Sequence, residues 1–173
     1  MKHILALLPL LFVAVAARAQ CDTIYFHKGG KAAVQIIGVQ EYAISFKYCQ
    51  EAAVYVYSKY AVGKIIFASG RTETVSDKIE IRGEEDWQKV IVLEDKSQTA
   101  GLKRQADIAA STAFFNLHTA NTGDRKAQEL LLKEAARQRC PFVYLHFDRE
   151  TNFTGFKTYG ALQNKKRAFA FGY

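Results

Sequence analysis

After its first twenty residues this 173-residue sequence has no apolar run long enough to cross a bilayer, which takes roughly 20 residues. It has no H-E-x-x-H and no C-x-x-C, so neither of the usual short-spaced metal-ligand patterns occurs. It has no G-x-x-x-x-G-K to cradle a phosphate and no G-x-S-x-G to raise a nucleophilic serine. Acidic pairs such as Glu84-Glu85 fall in a polar stretch and read as solvated. These gaps point away from an enzyme and from a resident cofactor: none is expected.

What is present begins with a leader. Met1-Lys2-His3 is a short positive segment, and Ile4 to Ala17 is an apolar run of 14 residues broken only by Pro9. Ala17-Arg18-Ala19 puts small residues where signal peptidase needs them, so residues 1–19 read as a secretory signal cut near Ala19-Gln20. Gln20 and Arg18 fit a lipobox poorly, which argues against a lipid on Cys21. The expected location is therefore outside the cytoplasm, in the periplasm or cell envelope, with no integral membrane span. Without Lys2 and Arg18 there remain 22 basic against 17 acidic residues, a mild excess spread along the chain. An exported chain of that kind is not expected to bind nucleic acid.

Residues 22–82 read as a small all-β module. Ile24 and Phe26 alternate with polar neighbours, Gly29-Gly30 is a hairpin signal, and Tyr42, Ile44, Phe46 and Tyr48 alternate with Ala43, Ser45 and Lys47. Val54 to Tyr57 makes a further strand, and Ser58 to Val62 suits one helical turn. Lys64 to Ala68 and Arg71 to Val75 flank Ser69-Gly70, a second hairpin signal. So many short strands bury their apolar face best by curling, and an SH3-like or Sm-like barrel is expected.

Residues 87–173 read as an α+β domain. Trp87 to Leu93 reads as a strand, Ser97 to Leu102 as a short helix and Lys103 to Phe114 as extended chain, with residues 115–123 a polar loop. Asp124 to Arg139 carries Ala127, Leu130, Leu131, Ala135 and Ala136 on one stripe, the pattern of an amphipathic helix capped by Thr122 or Asp124 and stopped by Pro141. Phe142 to Phe147 follows as an apolar strand, 149–160 as a loop and Arg167 to Tyr173 as a last strand. One long helix over a small sheet is an α+β sandwich.

Two resemblances accompany this reading. Asp22-Thr23-Ile24, Lys28-Gly29-Gly30, Phe46-Lys47-Tyr48-Cys49, Ser58-Lys59 and Ile65 to Arg71 resemble a small β module of exported Bacteroidetes proteins, which implies no activity. Ala100-Gly101-Leu102-Lys103, Ala106 to Ala109, Leu131 to Ala136 and the strand Phe142 to Leu145 resemble YbjQ-like envelope domains and, more distantly, the stress-sensing lipoprotein of the Rcs system. The latter's distinguishing cysteines are absent, so its sensing mechanism does not carry over. YbjQ-like domains can form rings, which implies a homo-oligomer as one outcome.

The reactive residues are few. His27, His118 and His146 fall in three different elements. His146 and Asp148, two residues apart, could share a strand face, and with His118 they form the weak candidate set for a metal or small ligand. Cys140 lies at a helix C-terminus, where the dipole disfavours a thiolate, and reads as a buried thiol. Cys21 and Cys49 flank strands of one module and are the candidate disulfide, closing a loop whose cross-link would contribute roughly 3 kcal/mol. The function expected is that of a non-catalytic envelope protein for interaction or stress-related sensing, with an unknown envelope protein or surface ligand as partner. A small-ligand or metal binder is the alternative.

Overall fold

The computed structural model describes residues 21–111, 120–153 and 162–173. The expected signal, Met1 to Ala19, and the candidate His118 lie outside the described residues. The chain is mostly β-sheet with one long helix, an α+β arrangement. Among the described residues no helix is long and apolar enough to cross a membrane.

The first sheet is antiparallel and contains β1 (Asp22–Phe26), β2 (Lys31–Val39), β3 (Ala43–Tyr48), β4 (Tyr55–Ser58), β5 (Val62–Ile66) and β6 (Thr72–Thr74). The order across it is β4-β3-β2-β1-β5-β6. Gly29 and Gly30 turn β1 into β2 at φ 96° and 87°, a left-handed backbone that favours glycine. The alternation read from the sequence holds in part: Ile24, Ile44 and Phe46 are fully buried with Val34, Val62 and Ile65 in one core, while Tyr42 is exposed and Ala43 buried. Between β4 and β5, Lys59–Ala61 forms a single 3₁₀ turn, capped by the Ser58 hydroxyl, which accepts from the Tyr60 N–H at 3.2 Å.

No closed barrel is found among the described residues, where no ladder joins β4 to β6. The Ser58 N–H donates to the Ala100 carbonyl at 2.8 Å, so a later segment of the chain occupies that end of β4.

The second sheet has the order β7-β9-β10-β8, with β7 (Ile91–Leu93), β8 (Lys103–Ser111), β9 (Phe142–Phe153) and β10 (Leu162–Gly172). β7 runs parallel to β9, and the other pairs are antiparallel. Helix α1 (Ala120–Arg137) lies on one face, burying Ala127, Leu131, Ala135 and Ala136. It packs over Val143, Ile108, Ala168 and Ala170.

Several sequence expectations need correction. The strand drawn from Trp87 is a 3₁₀ helix over Glu84–Lys89, and only Ile91–Leu93 is extended. Asp86 holds that helix: its carboxylate accepts from the Arg82 N–H at 2.9 Å and pairs with Lys89 at 2.6 Å. The short helix near Ser97 is a 3₁₀ turn, Lys96–Thr99, fixed by a capping box between Asp95 and Gln98. The long helix starts at Ala120, so Thr122 and Asp124 lie inside it rather than capping it. Asp124 instead meets the buried Lys166 at 3.1 Å. Residues 149–153, read as loop, continue β9, and β10 begins at Leu162.

The other face of the second sheet meets the first. Phe142, Leu93 and Phe171 are buried there beside Tyr60, Ile79, Leu102 and Tyr173. Phe142 lies 5.1 Å from the Tyr60 ring and 5.5 Å edge-on from Tyr173. Gly101, at φ 79°, lies so close to Tyr57 that an added Cβ would sit 2.6 Å from its ring. Ile79 and Ile81 of the connecting segment pack with the second sheet, not the first.

Candidate functional site

At the end of the second sheet where α1 stops, four pieces of chain surround an open cleft of about 570 Å³. Gln105 near the start of β8, Gly172 and Tyr173 at the end of β10, and Pro141 before β9 line it. Its wall is residues 78–82, where the alternation sends Ile79 and Ile81 inward and leaves Lys78, Glu80 and Arg82 exposed. Arg139 completes the rim. Lys78, Arg82 and Arg139 line this rim with the Glu80 carboxylate, and the Asp86 carboxylate acts on Arg82 from beside it. None of the three cations is in an ion pair among the described residues; Lys78 lies 5.8 Å over the Tyr173 ring.

Arg139 is there at a conformational cost. The Arg139 N–H donates to the Ala136 carbonyl and the Cys140 N–H to the Ala135 carbonyl, both at 2.9 Å. That pair of bonds is the Schellman ending of a helix, whose residue past the end normally is glycine. Here it is arginine, at φ 57°. The next residue, Cys140, is buried, and its thiol donates to Gln105 Oε1 at 3.1 Å. This fixes the amide so that Nε2 lies over Gly172, where any Cβ would fall within 2.0 Å of it. Burial pushes the Cys140 thiol pKa up, so a thiolate is disfavoured, in line with a structural role.

A serine–histidine contact also needs weighing. His27 Nε2 lies 3.0 Å from Ser76 Oγ and 3.1 Å from the Ser76 carbonyl oxygen. A carbonyl oxygen only accepts, so Nε2 carries the proton. The Ser76 hydroxyl faces the carbonyls of Lys59 at 3.0 Å and Val62 at 2.9 Å, so its own proton is engaged there. The histidine is a donor to Ser76, not a base for it. The pair ties β1 to the chain leaving β6 and provides no activated nucleophile.

Burial lowers the His27 pKa from its ordinary 6.5, against the opposing hydrogen bond to Ser76. Folding therefore favours the neutral ring. Its contribution to stability is complete above pH 6.5 and is lost as pH falls from there through the lowered folded value. Thermal midpoints measured from pH 7.5 down to 5 are expected to fall more steeply for the native chain than for His27→Gln, whose amide can donate but cannot titrate. Equal slopes would remove His27 as the cause.

The candidates read from the sequence separate into two places. Cys21 and Cys49 are joined in a disulfide, with Cα atoms 6.5 Å apart. β1 and β3 are separated by β2, and in a flat sheet that spacing would be about 9.5 Å, so the sheet curls at this end. Beside the bridge the Asp22 carboxylate accepts from the N–H groups of Ile36 at 3.0 Å and Ala68 at 2.9 Å. His146 is exposed on β9 and stacks on Phe169 at 4.8 Å, with the Arg104 guanidinium 3.6 Å from the same ring. Register shifts between Lys165 and Ala168 place His146 and Asp148 in an irregular part of β9, where simple alternation does not hold. The side chain of Asp148, like His118, lies outside what is described. Among the described residues no three of His, Cys, Asp and Glu gather as a metal set.

Sequence reasoning missed the cleft. Two signals could have found it: the alternation of Lys78, Ile79, Glu80, Ile81 and Arg82, and a helix that ends without glycine or asparagine before Pro141. No protein-family model, no curated protein and no solved structure matches this chain.

Proposed function

We propose that this chain is an exported, non-catalytic interaction protein of the cell envelope, with β4 as its docking edge. One observation carries the reading: Tyr55 and Val56 are exposed on an edge strand, with exposed Val54 just before it. Exposed apolar edges are ordinarily shielded by charge or cover, because they pair with other strands. Ser58 donates outward to Ala100, and two-residue periodicity turns the Val56 N–H the same way. An extended partner strand added there would continue a ladder the chain itself has begun.

Supporting features are consistent with this. The leader Met1 to Ala19 and the Cys21–Cys49 bridge fit an oxidising compartment. The strand order, in which β5 returns to pair with β1 after the 3₁₀ turn that follows β4, fits an opened small barrel of the SH3 or Sm kind. The helix-covered second sheet fits the YbjQ-like class. The tied His27–Ser76 pair leaves no activated serine there to contradict a non-catalytic role.

A photo-crosslinking residue at Val56 in intact cells is expected to give one discrete adduct, absent when the same group replaces exposed Lys103. An adduct of twice the chain mass identifies a second copy. Equal patterns from both positions, or none from Val56, would remove β4 as the docking edge.

A further inference from the structure

We propose that the cleft rimmed by Lys78, Arg82 and Arg139 binds the phosphate group of a ligand, a site separate from the β4 edge and independent of it. Three cations line the rim with the Glu80 carboxylate, and none of the three is in an ion pair among the described residues; the Asp86 carboxylate that acts on Arg82 is already paired with Lys89 at 2.6 Å. Two are guanidinium groups, whose forked donors match the oxygens of a phosphate. The Gln105 amide adds a neutral donor, because the Cys140 thiol holds its oxygen and turns its nitrogen over Gly172. The Tyr173 ring and Pro141 give the cleft an apolar side, suited to the carbon body of a phosphate ester.

The second, independent observation is the conformation of Arg139. A left-handed residue at a helix end is most easily glycine, and any other side chain there is carried against a backbone preference. The side chain retained at that cost lines the cleft. A position optimised for stability alone would be glycine; a position that must present a cation is arginine. The same substitution should therefore move stability and binding in opposite directions, which a purely structural arginine would not do.

The test uses the full mature chain with its disulfide intact, titrated with inorganic phosphate and with phenyl phosphate by calorimetry or amide NMR. Saturable one-to-one binding is expected, tighter for phenyl phosphate and weakened by added salt. Arg139→Gly is expected to weaken it about tenfold or more while raising the thermal midpoint. Arg139→Lys, which keeps the charge and loses the fork, should fall between. No saturable binding by the native chain, or unchanged affinity in Arg139→Gly, overturns the proposal. A midpoint that fails to rise overturns the strain argument on which it stands. Vesicles of phosphatidylcholine with and without phosphatidic acid separate the ligand sources. Sedimentation that needs phosphatidic acid and Arg139 assigns a lipid headgroup, and soluble binding without sedimentation assigns a free phosphate ester. Sedimentation indifferent to Arg139→Gly counts against the site. Crosslinking from Val56 is unaffected by Arg139→Gly, so failure of either reading leaves the other to be judged by its own experiment.

Discussion

Phe142→Ala is expected to destabilise the protein by about 3–5 kcal/mol, the usual cost of truncating a buried phenylalanine. The ring is fully buried and is held from both sides of the molecule. Tyr60 reaches it from the 3₁₀ turn of the first sheet, and Tyr173 meets it edge-on from the end of β10. Its backbone pairs with Ile91 on one side and Phe171 on the other. Small domains are stable by only about 5–15 kcal/mol, so this one change should remove much of the total. Urea unfolding followed by circular dichroism and by Trp87, the sole tryptophan, measures the loss. A cost below about 1 kcal/mol would mean that the sheets do not depend on this seam.

The second large effect is removal of the disulfide. Cys21→Ser with Cys49→Ser is expected to lower stability by about 3 kcal/mol, because a cross-link over a loop of this length restricts the unfolded chain by roughly that amount. The bridge closes 28 residues of sequence separation around β1, β2 and β3. It lies beside the Cys49 N–H, which donates to the Ala33 carbonyl at 3.1 Å, and beside Asp22, which binds two neighbouring segments. Alkylation supplies the check on the bond itself. Unfolded without reductant, the chain should take one label, at Cys140; unfolded with reductant, three. Three labels without reductant would remove the bridge and the predicted loss together.

The parts of this fold legible in the sequence are those set by periodicity over several turns or pleats. Ile44 and Phe46 alternate with polar neighbours and are buried. Ala127, Leu131, Ala135 and Ala136 repeat at helical spacing and face the sheet. Phe142 and Val143 open an apolar run that is a strand. Of the short elements, the turn at Lys59–Ala61 was legible and the 3₁₀ helix over Glu84–Lys89 was not, because a few apolar residues fit a strand and a 3₁₀ turn equally well; Trp87 shows this. Nor were ends: Ala120 to Gly123 is polar and contains a glycine, yet forms the first turn of α1. Residues 149–153 extend β9 by backbone pairing, which no side-chain pattern announces.

The candidate site was less legible still. The Cys21–Cys49 pairing needed only two cysteines near strands of one module. The cleft needs residues 78, 82, 105, 139 and 172, which are gathered by the packing of four separate segments.

The chain's division into two halves by sequence does not coincide with the division made by packing. Residues 77–82 follow the first sheet without a break, yet Ile79 and Ile81 fill the cores of the second, and the Ile79 N–H is held by the Tyr173 hydroxyl at 2.8 Å. The connector is therefore a strap rather than a tether. Cutting the gene at the polar stretch near Gly83 would give the first half two stranded isoleucines and leave the second with an open seam. A cut nearer Ser76, which His27 ties to the first sheet, would keep the strap with the second half, though the seam of Tyr60 on Phe142 and of Ser58 on Ala100 would still be opened.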